Sequence, residues 1–131
     1  MRRVAVIQDL RGTLTEVGPG LLDAALAACD GGGTRLVSQL TFGGSDRFRE
    51  DGRIDLAGGD ALYFRTLFDG CLSVAPDPSL RVGTAVREIL SGSGALEGAA
   101  GRITSTFVVD REGKVSDREV GLVFLAERRT R

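Results

Sequence analysis

Residues 91–109 read Ser-Gly-Ser-Gly-Ala-Leu-Glu-Gly-Ala-Ala-Gly-Arg-Ile-Thr-Ser-Thr-Phe-Val-Val. Gly92, Gly94, Gly98 and Gly101 punctuate the stretch. After the last of them the residues alternate, with Ile103, Ser105, Phe107 and Val109 on one face and Thr104, Thr106 and Val108 on the other. A period of two in β-branched residues is strand chemistry, because successive strand side chains point to opposite faces. No helical pattern follows Gly101, so this is not a dinucleotide fingerprint, and it lacks the Gly-Lys-Ser/Thr of a phosphate-binding loop. It reads as a sharp sheet corner where side chains do not fit, with Ala99 and Ala100 allowing close packing.

Outward from this corner the same period recurs. It places strands at 3–10, 35–42, 60–68, 84–90, 102–109 and 120–125, with shorter ones at 12–17, 53–56 and 71–74. Glu50-Asp51-Gly52, Phe68-Asp69-Gly70 and Arg111-Glu112-Gly113 read as turns, and 110–114 as a hairpin loop. One helix is expected over 19–29. Pro19 suits a first turn, the Leu/Ala run has strong propensity, and Gly31-Gly32-Gly33 stops it. Seven or eight strands with local turns imply a mainly β chain, an antiparallel eight-stranded type of barrel with one short helix. Closure removes the edges that invite aggregation. The whole chain, 1–131, is one domain of a size that supports one core.

Composition closes several doors. Seventeen basic residues against eighteen acidic ones leave a net charge of −1, with no like-charge block to displace counterions from nucleic acid. There is no histidine, which removes imidazole acid–base chemistry and His-ligated metal sites; no metal and no cofactor are expected. Cys29 and Cys71 read as small buried hydrophobes. The run at 4–7 after Met1-Arg2-Arg3 is too short for a signal peptide, and no stretch approaches a membrane span, so a cytoplasmic location is expected. Sixteen arginines against the single Lys114 point to a GC-rich bacterial genome. The tail at 127–131 reads as a solvated basic end.

The pattern SGSGALEGAAGRITSTFVVD, followed by GKVSDREVGLVFL, resembles the glycine corner and last two strands of the allene oxide cyclase and dirigent-type β-barrels. The likeness covers 92–125, about a quarter of the chain, and implies an eight-stranded antiparallel barrel. It includes proteins that cyclise or steer apolar natural-product intermediates. The plant cyclases' first-strand glutamate and asparagine have no match, because the first strand here offers Gln8 and Asp9.

Candidate site residues are polar groups on faces that ought to be apolar. Gln8 shares a face with Val4, Val6 and Leu10; Ser38 with Leu36, Leu40 and Phe42; Ser105 with Ile103 and Phe107; Glu88 with Val86 and Leu90. Tyr63 and Arg65 share the opposite face of their strand, an arrangement more often a cross-strand surface ladder than a site. Asp117 and Glu119 around Arg118 read as a charged strand entrance. If the barrel is an enzyme, Glu88 or Tyr63 handles protons, while Gln8, Ser38, Ser105, Arg65, Phe42 and Phe107 hold the substrate. The stretch 42–52, with Gly43-Gly44, is the natural lid.

Three functions fit. The first is a cofactor-independent isomerase or cyclase for a polyketide- or oxylipin-like intermediate, using a dry cavity to fold its substrate. The second is a non-catalytic carrier of an apolar small molecule, and the third a structural barrel with a filled core. Self-association through the apolar strand at 120–125 is compatible with each.

Overall fold

The computed structural model describes residues 1–126; the basic tail at 127–131 lies outside the described residues. Nine strands run in order: β1 (Arg2–Gly18), β2 (Leu21–Ala28), β3 (Arg35–Phe42), β4 (Arg47–Asp55), β5 (Ala61–Thr66), β6 (Gly70–Val74), β7 (Arg81–Gly92), β8 (Ala100–Val109) and β9 (Lys114–Leu125). Every pairing is antiparallel. The sheet closes through β3–β4, giving an eight-stranded barrel with one extra strand. That extra piece is a split stave. β5 and β6 run in the same direction between β4 and β7, and 67–69 bulge out between them. The bulge turns Phe68 to solvent at 73% exposure.

Among the described residues the single helical element is a 3-10 turn at Gly94–Leu96. The helix expected over 19–29 is instead strand β2. Its Leu/Ala run also alternates, and Ala24 and Leu26 face the core while Asp23, Ala25 and Ala27 face out. Pro19 and Gly20, the latter at φ 68°, make the tight turn from β1, so the chain enters β2 already antiparallel. Helix propensity differs by less than about 1 kcal/mol per residue, and here barrel closure outweighs it: β2 pairs with β1 on one side and β3 on the other.

Glu50-Asp51-Gly52 is not a turn but the middle of β4. Gly52 faces inward, where a Cβ would come within 2.3 Å of the Val37 carbonyl oxygen on β3. Gly101 and Gly121 likewise let β8 and β9 fold closely on each other, so the glycine corner is where the barrel wall bends. The core holds Leu10, Leu36, Leu40, Phe48, Ile54, Leu62, Phe64, Ile89, Ile103, Phe107 and Val123. Each such side chain stabilises by roughly 1.5–3 kcal/mol. The expected lid at 42–52 is mostly β3–β4 hairpin, with only 43–46 as loop. Both cysteines are exposed free thiols, not core residues, because each lies at an outward or loop position.

Candidate functional site

The barrel interior carries a charged centre. Arg87 on β7, Glu50 on β4, and Asp117 and Glu119 on β9 all point inward and are 97% or more buried. Alternation puts them there: Arg87 shares its face with Ala85 and Ile89, Glu50 with Phe48 and Ile54, and the β9 pair with Val115 and Val123.

Arg87 is the hub. Its Nε donates to Glu50 Oε1 at 2.9 Å and its second terminal nitrogen to Glu50 Oε2 at 3.3 Å. Nη1 donates to Asp117 Oδ2 at 3.3 Å and to Glu119 Oε2. The guanidinium carbon lies 5.1 Å from the centre of the Phe64 ring, adding a cation–π contact on its flank. Neutral donors complete the carboxylates. Ser38 donates to Glu50 at 2.5 Å, Ser105 to Asp117 at 2.5 Å, and Gln8 Nε2 to Glu119 at 2.7 Å. No fully buried side-chain nitrogen or oxygen among the described residues lacks a partner. Such a network is satisfied in hydrogen bonds yet unbalanced in charge, since one cation faces three carboxyls. Burial pushes the Asp117 carboxyl above its ordinary value; Arg87 and Ser105 pull it back down, while Glu50 and Asp9 add to the rise.

An internal cavity of about 20 Å³, roughly the room one water needs, lies against this centre. Glu50, Arg87 and Asp117 form its polar wall, and Leu14, Leu26, Leu40, Phe107 and Val115 are among its apolar lining. Phe107 stacks edge-on to Phe48 at 5.9 Å, and Phe48 contacts Phe42 at 5.4 Å, closing that end of the barrel.

The structure brings Gln8, Ser38, Ser105 and Phe107 into this interior, with Phe42 at its half-buried rim. It places Glu88, Tyr63 and Arg65 elsewhere, on the outer face, where Arg65 lies opposite Asp51 on β4 and Glu88 on β7. Strand parity is the reason: with Arg87 inward, Glu88 must point out. Asp117 and Glu119 are not a solvated entrance; only Arg118 between them faces out, bonded to Asp9 at 2.9 Å. Sequence reasoning passed over Arg87 and Glu50. Asp117 and Glu119 carried the same signal as Gln8, a polar residue in register with Val115, Val123 and Leu125.

The outer wall also has a broad depression of about 720 Å³ over β7, β8 and β9, lined by Glu88, Leu90, Arg102, Thr104, Val120 and Leu122. It is open to solvent and has no comparable cluster of converging polar groups.

These features define a small closed antiparallel barrel with a charged interior. Solved structures of the same fold are dirigent proteins. The pterocarpan synthase dirigent protein GePTS1 is 12% identical, with a TM-score of 0.67 over 96% of this chain and 89% of its own. The pterocarpan synthase dirigent protein PsPTS1 is 14% identical, with a TM-score of 0.58 over 97% of each chain. At these identities the likeness is one of fold. No family model and no curated protein matches the chain.

Proposed function

We propose that this chain is a small-molecule-binding barrel that holds its ligand against the Glu50–Arg87–Asp117 wall without transforming it. The observation that carries the reading is a charged, fully hydrogen-bonded cluster sealed inside an apolar barrel beside a cavity. A purely structural barrel has little use for such a cluster, because apolar residues of similar volume are often equal or better by about 1–4 kcal/mol. The description of both solved neighbours as pterocarpan synthase dirigent proteins supports a small-molecule role for this shape.

The wall also favours one kind of ligand. Carboxyl oxygens outnumber the free donors there, so a hydroxyl on an apolar body fits, with the body against Leu14, Leu40 and Phe107. The ligand enlarges the present cavity by displacing the aromatic end. Titration calorimetry with 2-naphthol and 2-naphthoate tests this. Saturable binding of the hydroxyl compound and exclusion of the carboxylate is expected; heat from neither would return the barrel to a structural role.

A second reading, a cofactor-independent isomerase or cyclase, is favoured by Asp117, a carboxyl beside the cavity whose pKa burial raises above its ordinary value. Product formed from a polyene epoxide faster than in buffer, and lost in Asp117→Asn, would move the function there. We also propose self-association through the outer face of β1 and β9, and a cytoplasmic location, with which two exposed free thiols are compatible.

A further inference from the structure

We propose that β6, with the bulge before it and the turn after it (residues 67–80), is a side gate into the internal cavity. The proposal rests on the reading that the cavity takes up a small molecule.

The barrel wall is sewn least tightly at this point. β4 meets β6 at only two cross-strand pairs, Arg47 opposite Cys71 and Phe48 opposite Gly70, with one further bond from the Leu72 amide to the Asp46 carbonyl at 2.8 Å. By comparison, β1 and β9 pair along 12 positions from Arg2 to Thr13. β6 also buries little: Gly70 has no side chain, Leu72 is half-buried, and Cys71, Ser73 and Val74 face solvent. Segments with few buried apolar groups and short ladders open at a fraction of the global unfolding cost. Both ends of the segment can absorb the movement. The bulge at 67–69 already breaks the register, held outside by Arg49 to Asp69 at 3.0 Å between exposed side chains. At the other end Ala75 and Leu80 close a local turn on themselves, through the Ala75 amide to the Leu80 carbonyl at 3.1 Å.

A continuous route leads inward from β6. The Phe48 ring lies so close on Gly70 that a Cβ there would sit 2.3 Å from it. Phe48 packs on Phe107, and Phe107 lines the cavity. Lifting β6 removes the surface that holds the Phe48 ring, and Phe107 is then free to swing away from the Arg87 wall. The lid expected at 42–52 is held more firmly, because β3 and β4 pair along eight positions and Phe48, Asp51 and Gly52 have a second partner on the other side.

Cys71 supplies the test. The Leu72–Asp46 bond makes the adjacent Arg47–Cys71 pair a non-hydrogen-bonded one, whose Cα atoms approach to about 4.5 Å, within disulfide range. In a Cys29→Ser background, Arg47→Cys oxidised onto Cys71 locks the gate. Ala24→Cys, on the cavity wall and 3% exposed in its native form, reports entry through its rate of labelling by 4,4′-dithiodipyridine. The unlocked comparator carries Arg47→Ser and Cys71→Ser. We expect the lock to slow labelling at least roughly tenfold, a drop in the population of open states. Equal rates in the two proteins would overturn the gate and place entry at the barrel end. Hydrogen exchange on the unaltered protein gives a second reading: β6 amides should exchange well before those of β1, β8 and β9, and equal protection would count against it. Neither measurement uses a ligand, so failure of the gate and failure of the binding reading remain distinct.

Discussion

Arg87 Nε and Glu50 Oε1 meet at 2.9 Å across the barrel interior, from strands that the split stave keeps apart. The bond therefore braces β4 against β7 where the wall between them is interrupted. Arg87→Met removes the sole cation of the buried cluster and leaves Glu50, Asp117 and Glu119 facing one another. A loss of about 3–5 kcal/mol in urea unfolding is expected. A loss below about 1 kcal/mol would show that the buried cluster does not depend on Arg87.

The position of Asp117 gives a pH dependence with a definite sign. Burial raises its folded-state pKa above the ordinary 3.8, so the folded protein holds this proton more tightly than the unfolded chain. Its contribution is fully present below the unfolded value and is lost as pH rises through the raised folded one. Wild-type stability measured against Asp117→Asn should fall over that interval. A rise would show that Arg87 and Ser105 outweigh burial.

Gly83 and Phe107 are steric partners on β7 and β8: a Cβ at Gly83 would lie 2.0 Å from the Phe107 ring. Gly83→Ala should destabilise by at least about 1–3 kcal/mol. Adding Phe107→Leu should recover part of that loss, and strictly additive effects in the double-mutant cycle would argue against the contact.

Ile7 and Val120 stand opposite each other on the outer wall, 76% and 50% exposed, beside Leu122 at 41%. If this face joins copies of the chain, Val120→Glu should shift sedimentation to the monomer without lowering the melting temperature by more than a few degrees. An unchanged sedimentation coefficient would rule that face out as the contact.

Much of the fold was legible because alternation is a local signal. The 102–109 strand and the Asp110–Lys114 hairpin could be read directly, the latter closed by the Asp110 amide to the Lys114 carbonyl at 3.0 Å. β2 could not, because Leu and Ala satisfy both periods and only the neighbouring strands decide between them. The interior was half legible. Gln8, Ser38 and Ser105 stand out as polar residues among apolar ones. Arg87 does not, since Val86 and Leu90 give β7 an apolar outer face as well, and parity alone cannot say which face turns in. Glu50 was concealed by the following Asp-Gly, which reads as a turn until Gly52 is seen to admit β3.

Methyl-detected NMR titration with 2-naphthol tests most directly whether the interior binds a small molecule. Saturable shifts at Leu14, Leu26, Leu40 and Val115, with Ile7, Val120 and Leu122 unmoved, are the expected result. Shifts confined to the outer methyls, or none at all, would contradict it.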